Sequence, residues 1–447
     1  MAQRTGGRSS FATCVVTRTD SGSTRWNRCL DALGDVFTAP GRVLFQALMT
    51  GWVLCTGRRT VIGIYRQADP GREHAHDAFH RLIRCGSWSV DLMWKTLALA
   101  LVASCVPDGV LEIDLDDTLL HKSGRMVDGA GWWRDAVRST GSRVVVALGL
   151  NIVVITLRIR PPWGGEPLGL PIWAARHRKG GPKLTELAVA GITTVASWFP
   201  GRTIRCCADG AFAAPLLPAA SKHLVVISRM RRDAALYELK PEPSGKRGRP
   251  RQKGKRLGTP TQLAARARAW SRVVIDRRGR RVVTLVHTRV VLWYAVSKQP
   301  VLLVISRDPD GHEHDDFFVC SDIDMPPGEI VGAYAGRWSI EDTFRATKQS
   351  IGVHHPQSWR GQGPERASML GFALYSLVWW WFLGLRKREQ TVANEPWYPD
   401  KTNPSFIDAL AALRRHFWGE RISATSAHGA ISDEIIEAMM DALARAA

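Results

Sequence analysis

The sequence predicts an α/β fold, a mixed sheet flanked by helices with a β-rich insertion and helical regions at both ends. Three observations carry this. Between Gly109 and Arg229, short β-branched runs are interrupted by helical patterns, as in a layered α/β domain. A polar run from Ser244 to Arg256 is too rich in Gly, Pro and charge to pack, and five strand-like runs follow it. Outside these stretches, apolar residues recur at spacings of three and four, the helical period.

In chain order, residues 1–107 read as helical. Patterns run through Trp26–Phe37, Arg42–Leu54, Asp77–Ile83 and Ser89–Val106, a region suited to DNA binding. Residues 108–232 read as the first part of a catalytic α/β domain. Val110–Leu115 is a short strand expected to deliver Asp114, Asp116 and Asp117 at its end. Arg143–Arg158 is β-branched and broken at Gly149 and Asn151, and Leu168–Ala175 is a further strand. Leu184–Trp198 is a helix closed by Pro200-Gly201, Arg202–Ala208 a strand ending at Asp209, and His223–Arg229 another strand.

Residues 233–327 form the basic linker and β-rich insertion, with strands expected at Arg272–Ile275, Arg281–Val286, Arg289–Val296, Val301–Ser306 and Phe317–Ile323. Residues 328–390 complete the catalytic domain, beginning with a helix from Tyr334 to Lys348. On one continuous helix Tyr334, Arg337, Trp338, Glu341, Phe344 and Lys348 share a face, its ends roughly 21 Å apart. The apolar run Met369–Leu385 is at the lower edge of a bilayer span and reads as a buried helix. Residues 391–447 hold a polar linker and two amphipathic helices.

A chain of 447 residues with 45% hydrophobic content can bury a proper core. Its 61 Lys and Arg against 41 acids give a net charge of +20, which favours a polyanionic partner through counterion release. The eight cysteines form no C-x-x-C pair, which argues against structural zinc. No secretory signal is apparent, so a cytoplasmic, nucleoid-associated protein is expected, with no membrane partner.

Asp116 or Asp117, Asp209 and Glu341 are candidates for one metal site. Two-metal phosphoryl chemistry needs carboxylates that bridge and flank two cations. At these residues the chain resembles a known family. Tyr334, Arg337, Glu341 and Lys348 match Y-x₂-R-x₃-E-x₆-K, a motif of bacterial insertion-sequence DDE transposases of the cut-and-paste kind. Asp116-Asp117-Thr118 supplies the D-x-T form of the first acid and Ala208-Asp209-Gly210 the second. The resemblance covers about residues 108–360.

It implies an RNase H-like catalytic domain in which Asp116, Asp209 and Glu341 hold two Mg²⁺ ions, with Mn²⁺ as a substitute. The register leaves Asp117 open as the first acid, because neighbouring strand residues face opposite sides. Tyr334, Arg337 and Lys348 would grip phosphates of the element's end. The implied partners are double-stranded DNA, as terminal inverted repeats and as target, and a second copy of the chain. Trp293 is either a base-stacking aromatic or a core residue. In the linker, Lys246, Arg247, Arg249 and Arg251 are suited to a DNA groove or to phosphates.

Two rivals remain at this level. Asp114-Leu-Asp116-Asp117-Thr118 also matches the D-x-D-x-T motif of haloacid dehalogenase-like phosphatases, with Asp114 as nucleophile and Asp116 as acid/base. A transposase-derived DNA-binding protein without catalytic activity is the other.

Overall fold

The computed structural model describes residues 22–242, 251–390, 392, 398–425 and 433–445. Five helices come first: α1 (Gly22–Asp31), α2 (Ala39–Leu54), α3 (Val61–Ala68), α4 (His76–Cys85) and α5 (Val90–Cys105). Three of their starts, those of α2, α3 and α5, are chemically marked. Thr60 Oγ1 accepts from Gly63 N at 3.0 Å, Ser89 Oγ accepts from Leu92 N at 3.2 Å, and Thr38 caps α2 in the same way.

The sheet region follows with β1 (Leu111–His121), β2 (Gly131–Arg134), β3 (Val146–Ile159), β4 (Leu168–His177), α6 (Leu184–Trp198), β5 (Ile204–Ala208), α7 (Gly210–Leu216) and β6 (Leu224–Arg229). Then come β7 (Leu236–Tyr237), β8 (Arg256–Gly258), α8 (Pro260–Arg266), β9 (Ser271–Arg277), β10 (Arg280–Val291), β11 (Val301–Arg307) and β12 (Asp316–Cys320). The chain closes with α9 (Pro327–Gly336), α10 (Trp338–Ala346), α11 (Gly363–Leu383), α12 (Phe406–Thr425) and α13 (Asp433–Arg445).

The strands β4, β3, β1, β5 and β6 lie side by side. β3 is antiparallel to both β4 and β1, while β5 runs parallel to β1 and to β6. This mixed sheet flanked by helices is RNase H-like, as the sequence predicts. β3 is buried almost throughout, which explains why most of its residues are apolar: a central strand covered on both faces has little polar side to show.

The insertion strands differ from expectation. They extend the same sheet, β12 pairing with the β6 edge and β11, β10 and β9 following. An uncovered β6 would leave a row of unpaired backbone groups, and β12 satisfies them. The resulting second core contains Val304, Phe318, Ile330 and Tyr334 under α9, separate from the main core. The expected pair of strands at 281–286 and 289–296 is one strand, β10. Trp293, just past it, is packed in the main core at 5% exposure and offers no face for a base.

Two further corrections concern the site. β1 does not stop at Leu115. It continues to His121, paired with β3 as far as Gly149, so the acids stand inside the strand. The helix expected over 334–348 is broken. α9 ends at Gly336, Arg337 is a turn, α10 follows, and a π turn covers Thr347–Ile351. A Cβ at Gly336 would lie 2.8 Å from Arg158 Nη1, so the break occurs where a buried guanidinium presses on the backbone. Tyr334 and Lys348 therefore belong to separate segments.

The apolar run is α11, almost wholly buried. Among the described residues no single helix is long and apolar enough to cross a membrane. Lys246, Arg247 and Arg249 lie outside the described residues, and Arg251 is exposed.

Close packing of β3 on β1 yields one stability prediction. A Cβ at Gly149 would meet the Leu120 carbonyl oxygen at 2.4 Å, a backbone atom that cannot rotate away. Gly149→Ala is expected to cost about 1–3 kcal/mol, read from denaturant unfolding. An unchanged midpoint would show that β1 and β3 do not approach so closely.

Candidate active site

Register brings the acids together. The parallel pairing of β1 with β5 ends at Leu115 and Ala208, so Asp116 and Asp117 emerge on one strand where Asp209 leaves the other. Asp209 precedes α7 but does not cap it with its side chain, which leaves the carboxylate available to the cleft. Glu341 lies in the first turn of α10 and is 40% exposed.

Within this cleft the two neighbouring aspartates have different partners. Asp116 accepts a hydrogen bond from Arg337 Nη1 at 2.7 Å, and the same guanidinium reaches Glu341 at 3.6 Å. Burial pushes the Asp116 carboxyl up to about 7; Arg337 opposes this, and Glu341 and Asp117 add to it. Burial also raises Asp117, with the Asp209 charge adding and both Asn151 and Lys348 opposing. Asp116 is thus tied to the Glu341 side and Asp117 to the Asp209 side.

The cations are held by the same acids. Burial works against the Arg337 charge, yet Asp116, Tyr334, Glu341 and Asp209 keep its pKa above the ordinary value. Burial lowers Lys348, while Asp135, Glu341 and Asp117 oppose the shift. Tyr334 is 9% exposed, its ring centroid 4.9 Å from Phe318, with Arg337 and Arg229 each over its ring. Burial moves its phenol up to about 12. It forms part of the wall behind Arg337 and is not a surface contact.

Asp114 takes no part in this cleft. It is 0% exposed, accepts from Arg158 through both Nε (3.1 Å) and Nη2, and accepts from Ser339 Oγ at 3.0 Å. A carboxylate so enclosed cannot reach an incoming phosphate, so the phosphatase reading through Asp114 fails on geometry.

Several participants escaped the sequence reading. Asn151 is a buried amide in an apolar strand, facing Asp117, and its Oδ1 has no partner among the described residues. A polar residue inside Leu150–Leu157 was the available signal. Arg158 and Ser339 anchor Asp114, and His121 bonds Asp135 at 2.8 Å beside Lys348. These pairings span distant parts of the chain and leave no local pattern.

All four carboxylates are hard oxygen donors, the chemistry suited to a Mg²⁺-class cation. Burial, with the neighbouring carboxylates adding to it, raises Asp116 and Asp117, which marks a place where added positive charge is favourable. Among the described residues no group of three or more His, Cys, Asp or Glu is gathered tightly enough to cage an ion. The Arg337 guanidinium spans Asp116 and Glu341 in this arrangement.

The model of one protein family, described as DDE superfamily endonuclease, matches residues 33–299. The matched span contains Asp116, Asp117 and Asp209 and ends before Glu341. No curated protein matches the chain.

Proposed function

Because this chain belongs to the DDE superfamily endonucleases, we propose that it is a transposase that binds the ends of its own mobile element and cuts and joins DNA there. The observation that carries this is the meeting of Asp116 and Asp117, Asp209 and Glu341 from β1, the end of β5 and α10, with Arg337 and Lys348 among them. A net charge of +20 supports a DNA partner.

Asp116, Asp117, Asp209 and Glu341 would hold Mg²⁺, which when bound activates the attacking oxygen and stabilises the leaving one. The chain's own cations do the positioning. Arg337, whose guanidinium bonds Asp116 here, would offer a planar group suited to two phosphate oxygens. Lys348, on the π turn, supplies a point charge on the other flank.

In cleavage, a water oxygen bonds to the scissile phosphorus and the bond to the 3′ oxygen breaks. The water gives up a proton to solvent and the departing 3′ oxygen takes one from solvent, leaving a 5′-phosphate and a free 3′-hydroxyl. In strand transfer that hydroxyl attacks a target phosphorus and loses its proton to solvent, and the target's own 3′ oxygen leaves and takes up a proton from solvent. A dimer would let two ends react together.

The direct test incubates the protein and Mg²⁺ with duplexes from the DNA flanking its gene. Nicking at the boundary of a short inverted repeat is expected. No cleavage of any flanking duplex, with binding intact, would favour the inactive DNA-binding reading. Arg337→Ala and Lys348→Ala are each expected to weaken duplex binding and to lower the slope of log affinity against log salt by about 1. An unaltered slope would remove them from the phosphate grip.

A further inference from the structure

A second basic cavity lies away from Arg337 and Lys348. It has a volume of about 570 Å³ and is lined by Asp128, Gly129, Arg176, Arg178, Lys179 and Gln362. It forms where two strands abut on one edge of β3: β2 pairs with Val146–Gly149 and β4 with Asn151–Ile159.

Arg176 is its floor. The residue is 7% exposed, donates to the Asp128 carbonyl at 2.6 Å and pairs with Glu365 at 3.1 Å, and its buried Nε has no partner among the described residues. An unmatched buried guanidinium donor is costly, and an anion would satisfy it. Gly129, at φ 77°, is what lets the guanidinium close on the loop: a Cβ there would meet Arg176 Nη1 at 1.8 Å. Arg178 shares Glu365, and Lys179 stands exposed with its ammonium 5.6 Å from the Trp133 ring. The first turn of α11 begins beside Gln362, adding the positive end of a long helix.

The cavity's position relative to the cleft follows from register. Asp116 pairs with Val154 of β3, and Val154 with Ala174 of β4. Asp116 and Arg176 therefore face the same side of the sheet, two strands apart, which is roughly 10 Å across and several ångströms along the strand.

We propose that this cavity is a second anion site, which takes a backbone phosphate of the bound DNA roughly three to four nucleotides from the cut. The inference rests on the DNA-cutting reading above and adds a contact beyond those of Arg337 and Lys348. Arg176 is the fixed donor; Arg178 and Lys179 close over the phosphate from the loop.

The test compares the full-length protein with an Arg178→Gln/Lys179→Gln double variant on a fluorescent duplex over a salt series. Both positions are exposed, and thermal unfolding confirms that the variant folds. The slope of log affinity against log salt is expected to fall by about 1–2. A scan of single methylphosphonate substitutions should show one sensitive position in the wild type that the variant lacks, and Arg178→Lys/Lys179→Arg should restore it. An unchanged slope and an unchanged scan would overturn the inference. So would stabilisation of the wild type alone by inorganic phosphate with no change in the DNA slope, which would make this a small-anion site. A wild type that fails to bind duplex at any salt would instead overturn the DNA reading itself.

Discussion

Asp209→Ala and Glu341→Ala are each expected to lower Mg²⁺-dependent DNA cleavage by roughly 10³-fold or more while duplex binding persists. The size follows from the placement of the two residues. Each is the sole carboxylate that its own element contributes to the cleft: Asp209 at the end of β5, and Glu341 from the first turn of α10. Loss of one wall of a charge-neutralising site is not repaired by neighbours that are themselves engaged. Binding should survive, because the charge that holds the DNA is spread over Arg337, Lys348 and the basic surface.

The same assay separates the two aspartates of β1. Asp117→Asn is expected to match Asp209→Ala, since those two carboxylates act on each other, with Lys348 beside Asp117. Asp116→Asn removes the negative charge that pairs with Arg337, so it should change DNA affinity as well as cleavage. Full cleavage by Asp117→Asn, with none by Asp116→Asn, would return the first-acid role to Asp116 alone. Full cleavage by both Asp209→Ala and Glu341→Ala would sink the active-site assignment.

Local pattern and distant pairing explain which parts of this arrangement were legible beforehand. The helix Leu184–Trp198 matches its expectation end to end, because its apolar spacing and the Pro200-Gly201 stop are both local. Strands β4, β5 and β6 were similarly readable from short, largely apolar runs. The length of β1 was not, since it is fixed by β3 residues some thirty positions away, and acidic side chains disguise a strand that remains paired to its end. The break at Arg337 was hidden for a related reason. The spacing of Tyr334, Arg337, Glu341 and Lys348 suits one helix, and only the approach of Arg158 to Gly336 shows where it turns. The Asp117–Asp209 and Asp116–Arg337 partnerships likewise depend on tertiary placement, so the acids were identifiable as a set but their division was not.

Asp114→Ala is expected to destabilise the protein by about 3–5 kcal/mol, with the loss read from chemical unfolding. Asp114 is fully buried and Arg158 nearly so, and their pairing is completed by Ser339 from α10 and by Glu112 on the same strand. Removing the carboxylate strands a guanidinium in the interior, a far greater cost than loss of a surface ion pair. Burial raises the Asp114 carboxyl, and Arg158 and Ser339 offset only part of that rise, so removing either partner leaves a buried charge poorly compensated. Asp114→Asn should cost less, because the amide oxygen can still accept one hydrogen bond. A loss below about 1 kcal/mol for Asp114→Ala would mean that water reaches Arg158 and that the strand is more open than described. This outcome bears on catalysis as well as stability. The Ser339–Asp114 hydrogen bond, with Arg158 on the same carboxylate, ties β1 to the start of α10, which carries Glu341. Asp114→Asn should therefore reduce cleavage by misplacing Glu341 even in protein that remains folded at the assay temperature, whereas a nucleophilic Asp114 would lose all phosphate chemistry on the same change.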